Sequence, residues 1–416
     1  MRLSSRVPAD PPNDLAEARL AASERGQTIT ELTDSNPTRH GLLDPAVMDV
    51  VARHLGEARR YEPDPRGWRP AREALAARFG GSPDDYWLTA STSEAYSWLF
   101  AVLADPGDAV AIPVPGYPLV EPLARLSGLR TVPYRSVYLD PHGWELDLNS
   151  VAAIVELVGT EPAETSVNPP PHNVILPPPN VILPQAGPRA LIAVNPNNPT
   201  GAYVRPDQGA VLGAMCAAAA LPIIADEVFF PFLLDDSLEG DAPVRLADSV
   251  GPEAVVVTLD GLSKLLAAPQ LKLGWIRLSG PRELTGPLAD ALDVIADTYL
   301  SVNSPVGCAL PELLNLVDVS VERIRSRCAE NLRMLGFLGD GFRVRRTQGG
   351  WTVLVDVPKV VDDDALARRL LDAGLAAHPG WFYDVADEGC LALSLLPEPA
   401  SFADALQRLT QTIRVD

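Results

Sequence analysis

Residues 254–275 read AVVVTLDGLSKLLAAPQLKLGW, and the fold turns on this stretch. A β-branched apolar run of strand length ends at Asp260, Gly261 turns the chain, and Lys264 follows inside a second apolar segment. Only three of the 34 basic residues are lysines: Lys264, Lys272 and Lys359. Arginine serves wherever a cation merely confers solubility. A lysine that persists in apolar surroundings points to a need for a primary amine, because arginine stays protonated and cannot form an imine. Surface chance accounts well for Lys359 in VPKVVDDD, and poorly for Lys264.

Working outward, similar apolar runs recur between helical patterns from Tyr61 to about Pro305: AVAIPVP (109–115), ALIAVNP (190–196) and PIIADEV (222–228). Such alternation predicts an α/β domain with a mixed or parallel sheet. Several runs end in polar residues, and ligands of open α/β sheets gather at those carboxyl ends. From Leu310 an arginine-rich helix leads into strands near 351–357 and 390–396, with one helix between them and one after. That pattern predicts a smaller α+β domain. Ahead of the large domain, residues 1 to about 40 form an arm with a polar helix from Asp14 to Gly26. The expected division is 1–50 (arm and part of the small domain), 51–305 (large domain) and 306–416 (small C-terminal domain).

Residues 167–184, VNPPPHNVILPPPNVILP, repeat the unit NVILP. So many prolines exclude helix and central strand and predict an extended, polyproline-like excursion. A local duplication is the default reading, and a substrate lid the minority one.

The net charge of −20 argues against nucleic acid and anionic membrane surfaces as partners. The opening MRLSSRVPADPPND lacks the apolar stretch of a signal peptide. The four cysteines, Cys216, Cys308, Cys328 and Cys390, have neither disulfide-framework nor metal-ligand spacing. A cytoplasmic protein without a metal site is expected.

Four motifs make joint sense. In TASTSEAYSWLF, after the strand ending at Leu88, Ser91 and Glu94 are spaced as a capping box. It would open a helix whose free N–H groups at Thr92 and Ser93 suit a phosphate, although most capping boxes only cap helices. NPNNPTG (195–201) follows a buried run. Its prolines set a tight turn and Asn198 can present its amide to a ring hydroxyl; a plain turn is the bland alternative. Asp226 closes the run LPIIA, where a carboxylate is costly unless partnered, whether by a pyridinium nitrogen or by a cap to the next turn. Lys264 sits where desolvation lowers an amine's pKa and favours imine formation.

The order TSEA, PGYP, NPNNPTG, ADEVF, GLSK and KLGW resembles the fold-type I, pyridoxal-phosphate (PLP) dependent enzymes of the class I/II aminotransferase family, over most of residues 30 to 400. The resemblance implies a large, mostly parallel PLP-binding sheet domain with helices on both faces, plus a smaller α+β domain. It implies Lys264 as the Schiff-base lysine, Asp226 as partner of the pyridine nitrogen, Asn198 on the ring oxygen O3′, and Tyr117 stacked on the ring. Thr92, Ser93 and Lys272 would hold the phosphate, with Ser263 assisting. Tyr61 in YEPDPRG would reach a neighbouring subunit's phosphate, implying a homodimer with shared sites. The implied reaction is transamination between an amino acid or amine and an oxo acid. Elimination or cyclisation on the same cofactor is the first alternative. A non-catalytic sensor on this fold is disfavoured by the charge, and a hydrolase by the absence of G-x-S-x-G.

Three departures from the family stand out. Phe229 replaces the tyrosine often found three residues after the aspartate, and Gly261 the serine three before the lysine. Ala392, in CLALSLL, stands where the arginine for the substrate carboxylate is expected. Arg39, neutral donors such as Asn36 and Trp351, or a donor lacking an α-carboxylate are the three ways out. His378 in AAHPGWFYD is expected to line the substrate pocket.

Overall fold

The computed structural model describes residues 4–7, 13–158, 187–235, 242–359 and 361–413; the NVILP repeat lies outside them. Strand β1 is Thr30–Glu31, β2 Tyr86–Thr89, β3 Ala109–Val114, β4 Arg130–Leu139, β5 Gly143–Leu146, β6 Pro188–Val194 and β7 Ile223–Asp226. Then follow β8 Val256–Gly261, β9 Gly274–Ser279, β10 Arg343–Val344, β11 Thr352–Asp356, β12 Leu375–Ala376, β13 His378–Pro379 and β14 Cys390–Ser394.

The main sheet has eight strands in the order β2-β9-β8-β7-β6-β3-β4-β5. Six of them run parallel, and β9 and β5 oppose them. Strands β2, β7 and β8 are buried along their whole length. This is why they read as unbroken apolar runs and not as alternating ones. Neighbouring residues divide between the two faces. Val110, Ile192, Ile224 and Val257 pack under the helices Thr92–Leu103, Val120–Leu126 and Arg282–Tyr299. Ala109, Leu191, Ile223 and Val256 pack under Leu148–Val155, Pro206–Ala218 and Leu246–Ser249. Each buried Ile or Val contributes about 1.5–3 kcal/mol, so the faces are held by many modest terms.

A second, antiparallel sheet has the order β10-β11-β14-β13. It shares a core with the helices Pro45–His54, Ser304–Leu313, Val317–Met334 and Pro399–Ile413. The N-terminal segment is stitched alongside: β1 pairs in parallel with β12 in a separate two-stranded sheet, and the N–H of Ser394 in β14 donates to the Leu32 carbonyl at 2.7 Å. The two sheets are joined at the NPNNPTG turn, where the N–H groups of Gln348 and Gly349 donate to the Gly201 carbonyl at 3.2 and 2.9 Å.

Among the described residues no helix is long and apolar enough to cross a membrane.

Candidate active site

Five carboxyl ends of parallel strands open on one cavity of about 400 Å3. From β2 come Ser91, Thr92 and Ser93; from β3, Tyr117; from β6, Asn198; from β7, Asp226; from β8, Ser263 and Lys264. Lys272, ahead of β9, also lines it. The small sheet closes the other side with Trp351, Thr352, His378, Ala392 and Ser394.

Lys264 stands on a short helical turn, Leu262–Leu265, directly after β8. Its Nζ lies 4.9 Å from the Trp351 ring centre and 5.2 Å from that of Phe229, a cation–π box that partly offsets lost hydration. Burial pushes its pKa down to about 8, against the pull of the Asp226 charge.

Asp226 is buried, and burial pushes its carboxyl up to about 6. Two donors oppose that rise: the Val228 N–H at 3.3 Å and the Tyr96 hydroxyl at 3.0 Å. Tyr96 escaped the sequence reading. The available signal was its spacing in TSEAY, one helical turn beyond Thr92 and therefore on the same helix face.

Behind Asp226 lies a second set of buried charges. Glu227 and Asp260 share Arg245 at 2.8 and 3.4 Å, and its guanidinium lies 4.5 Å from the Phe230 ring centre. Burial pushes Asp260 up to about 7, the nearby arginine opposing it. Three acids within two strand ends keep this region of the sheet electronegative.

The three asparagines of NPNNPTG divide their work. Asn195 donates to Glu227 and accepts from the Val204 N–H. Asn197 donates to the Pro115 carbonyl and accepts from Thr200. Only Asn198 turns to the cavity, and its Oδ1 is buried without a hydrogen-bond partner. An orphaned polar atom in a native interior calls for a partner.

At the helix starting at Thr92 the expected capping box is only half made. The Ser91 hydroxyl accepts from the Glu94 N–H at 3.2 Å, but the Glu94 carboxylate reaches back to the Ala90 N–H at 2.6 Å, one residue early, and also accepts from Ser301. Ser91 is fully extended (φ −171°, ψ 164°), which moves its own N–H out of the box. The first N–H groups of the helix have no intrahelical partner and edge the cavity.

Asn36 is not among the lining residues. Its carboxamide oxygen accepts from the Thr38 N–H and hydroxyl, capping the turn Pro37–His40, and Thr33 and Ser35 line the cavity instead. An Asx cap at N-P-T is a stronger local demand than a reach into the cavity. Arg39 is mostly exposed, pairs with Asp34 at 3.4 Å and also lies outside. Trp351 and His378 do line the cavity; the ring of His378 stacks on Phe382 at 4.1 Å, with Nδ1 3.3 Å from the Tyr383 hydroxyl. Tyr61, 69% exposed, lies in a different groove with Trp68 and Asn303.

These residues fit PLP: an amine with a lowered pKa, a buried carboxylate short of a cationic partner, an orphaned amide beside it, and free helix N–H groups with a lysine for phosphate. Fold and site together define a fold-type I PLP enzyme. The family model "Aminotransferase class I and II" matches residues 30–409, and the chain belongs to that family. An alanine aminotransferase of Mycobacterium tuberculosis is 28% identical over 393 residues, covering 91% of this chain and 77% of its own. A glutamate-pyruvate aminotransferase of Haemophilus influenzae is 26% identical over 302 residues, covering 71% and 66%. Among solved structures, an alanine aminotransferase from Pyrococcus furiosus superposes with a TM-score of 0.82 at 20% identity, covering 99% of this chain and all of that one. The protein is a PLP-dependent aminotransferase.

Proposed function

We propose that Lys264 is the covalent attachment point of the cofactor and the proton carrier of the reaction. The observation that carries this reading is a buried amine with its pKa lowered to about 8, boxed by two rings in the cavity that also holds Asp226. When bound, PLP supplies an aldehyde that takes up the amino group and a ring that withdraws electrons from it. The chain's residues do the rest. Asp226, aligned by Tyr96, holds a proton on the ring nitrogen. Asn198 bonds the ring oxygen and Tyr117 covers the ring face. Thr92, Ser93, Ser263 and Lys272 anchor the phosphate. With the cofactor held, the freed Lys264 amine would take the proton from the substrate Cα and carry it, and the small sheet would keep water out.

The substrates are then an amino acid or amine donor and an oxo-acid acceptor. A homodimer is part of the reading: Tyr61 is exposed and remote from its own cavity, as a residue serving a partner's site must be. Four buried free thiols suit the reducing cytoplasm. The test is a half-reaction. With L-alanine and no oxo acid, the bound cofactor should be converted to one equivalent of pyridoxamine phosphate, recovered on denaturing the protein, with one equivalent of pyruvate. With an amino acid that carries a β-leaving group, such as β-chloro-L-alanine, repeated release of chloride, pyruvate and ammonia without pyridoxamine phosphate favours a lyase instead.

A further inference from the structure

Among the described residues no arginine lines the cavity, and residues 159–186 contain neither lysine nor arginine. Ala392, at the expected arginine position, is paired directly with His378 across β13 and β14. Opposed residues of an antiparallel pair share a face with Cβ atoms about 5 Å apart, so the imidazole stands next to the vacated position. Two contacts fix it. Phe382 stacks on one face at 4.1 Å and 15°, and the Tyr383 hydroxyl meets Nδ1 at 3.3 Å. Burial pushes the imidazole down to about 4 and the Tyr383 phenol upward, so both are neutral near pH 7. When the phenol donates to Nδ1, the ring proton resides on Nε2 as a donor.

We propose that the Nε2–H of His378 recognises the substrate carboxylate in place of arginine, and that the substrates are α-amino and α-oxo monocarboxylates with apolar side chains. The second half follows from the walls: Leu119, Val120 and Phe382 present apolar surface to a substrate side chain. This rests on the Lys264 reading, because it takes the cavity to be the reaction site.

The test uses cofactor-loaded enzyme, calorimetry, and two unreactive probes, 3-phenylpropionate and its neutral amide. His378→Ala should weaken binding of the carboxylate by about ten- to a hundredfold, the range for a hydrogen bond to a charged group. The amide should change by less than about threefold, since an uncharged acceptor draws less from the same donor. His378→Gln, which keeps an N–H donor, should recover most of the loss. Cofactor absorbance should be unchanged in each variant, which separates failure of this assignment from failure of the Lys264 reading. If His378→Ala does not fold, Tyr383→Phe should weaken the carboxylate selectively by releasing the ring. Equal weakening of both probes, no weakening of either, or no carboxylate binding by the unmodified enzyme would overturn the assignment.

Discussion

Lys264 is expensive to keep charged where it sits, and that cost is chemically useful. Burial takes its pKa to about 8 from the usual 10.5, with Asp226 pulling the other way. The neutral amine is the form that attacks an aldehyde, so capture of PLP by cofactor-free enzyme should accelerate through a midpoint near pH 8. Asp226→Asn removes the negative charge that favours the ammonium, so the midpoint should move lower still. Stopped-flow absorbance across pH measures this, and a midpoint near 10.5 in the unmodified enzyme contradicts it. Much of this site was legible residue by residue, because lysine scarcity and NPNNPTG are local signals. The cluster of Glu227, Arg245 and Asp260 was not, since its meaning arises only when β7, β8 and the segment of Arg245 meet. Asn36 lies outside the lining for a local reason: its carboxamide oxygen accepts from Thr38, two residues away.

At the scale of elements, glycines set how closely the two sheets approach. Gly201, last residue of NPNNPTG, has φ +68°, and a Cβ there would lie 1.8 Å from the Thr347 hydroxyl and 2.5 Å from the Gly349 carbonyl oxygen. Gly201→Ala should therefore destabilise the fold by roughly 3 kcal/mol or more, through a strained backbone and a clash with main chain. A denaturant midpoint unchanged from the parent contradicts that. Gly274 has a related role, because a Cβ on it would crowd the Thr92 N–H at 3.3 Å and the phosphate end of the cavity. Strand positions were readable because buried parallel strands announce themselves as apolar runs. The short pairing of β1 with β12 was not: two residues at each end of the chain carry no periodicity.

For the whole molecule, six parallel strands put their carboxyl ends on one edge, and five of those ends open on one cavity. The α/β reading and the smaller second sheet followed from the order of runs along the sequence. The vacated arginine position was equally visible, while what stands beside it, His378, needed the register of β13 on β14. The proposed homodimer, with Tyr61 serving a partner's site, is a statement about two chains. Sedimentation should give twice the 44.5 kDa chain mass. Mixing Tyr61→Phe with Lys264→Ala chains should yield hybrids with one fully restored site and one site carrying both defects; hybrids whose surviving site is as weak as in Tyr61→Phe, or a strictly monomeric, fully active enzyme, contradict shared sites. The measurement that bears most directly on the account is borohydride reduction of the PLP-loaded enzyme, followed by mass spectrometry of its peptides. A phosphopyridoxyl group on Lys264, absent from Lys264→Ala, is the predicted result; the group on Lys272, or on no lysine, contradicts it.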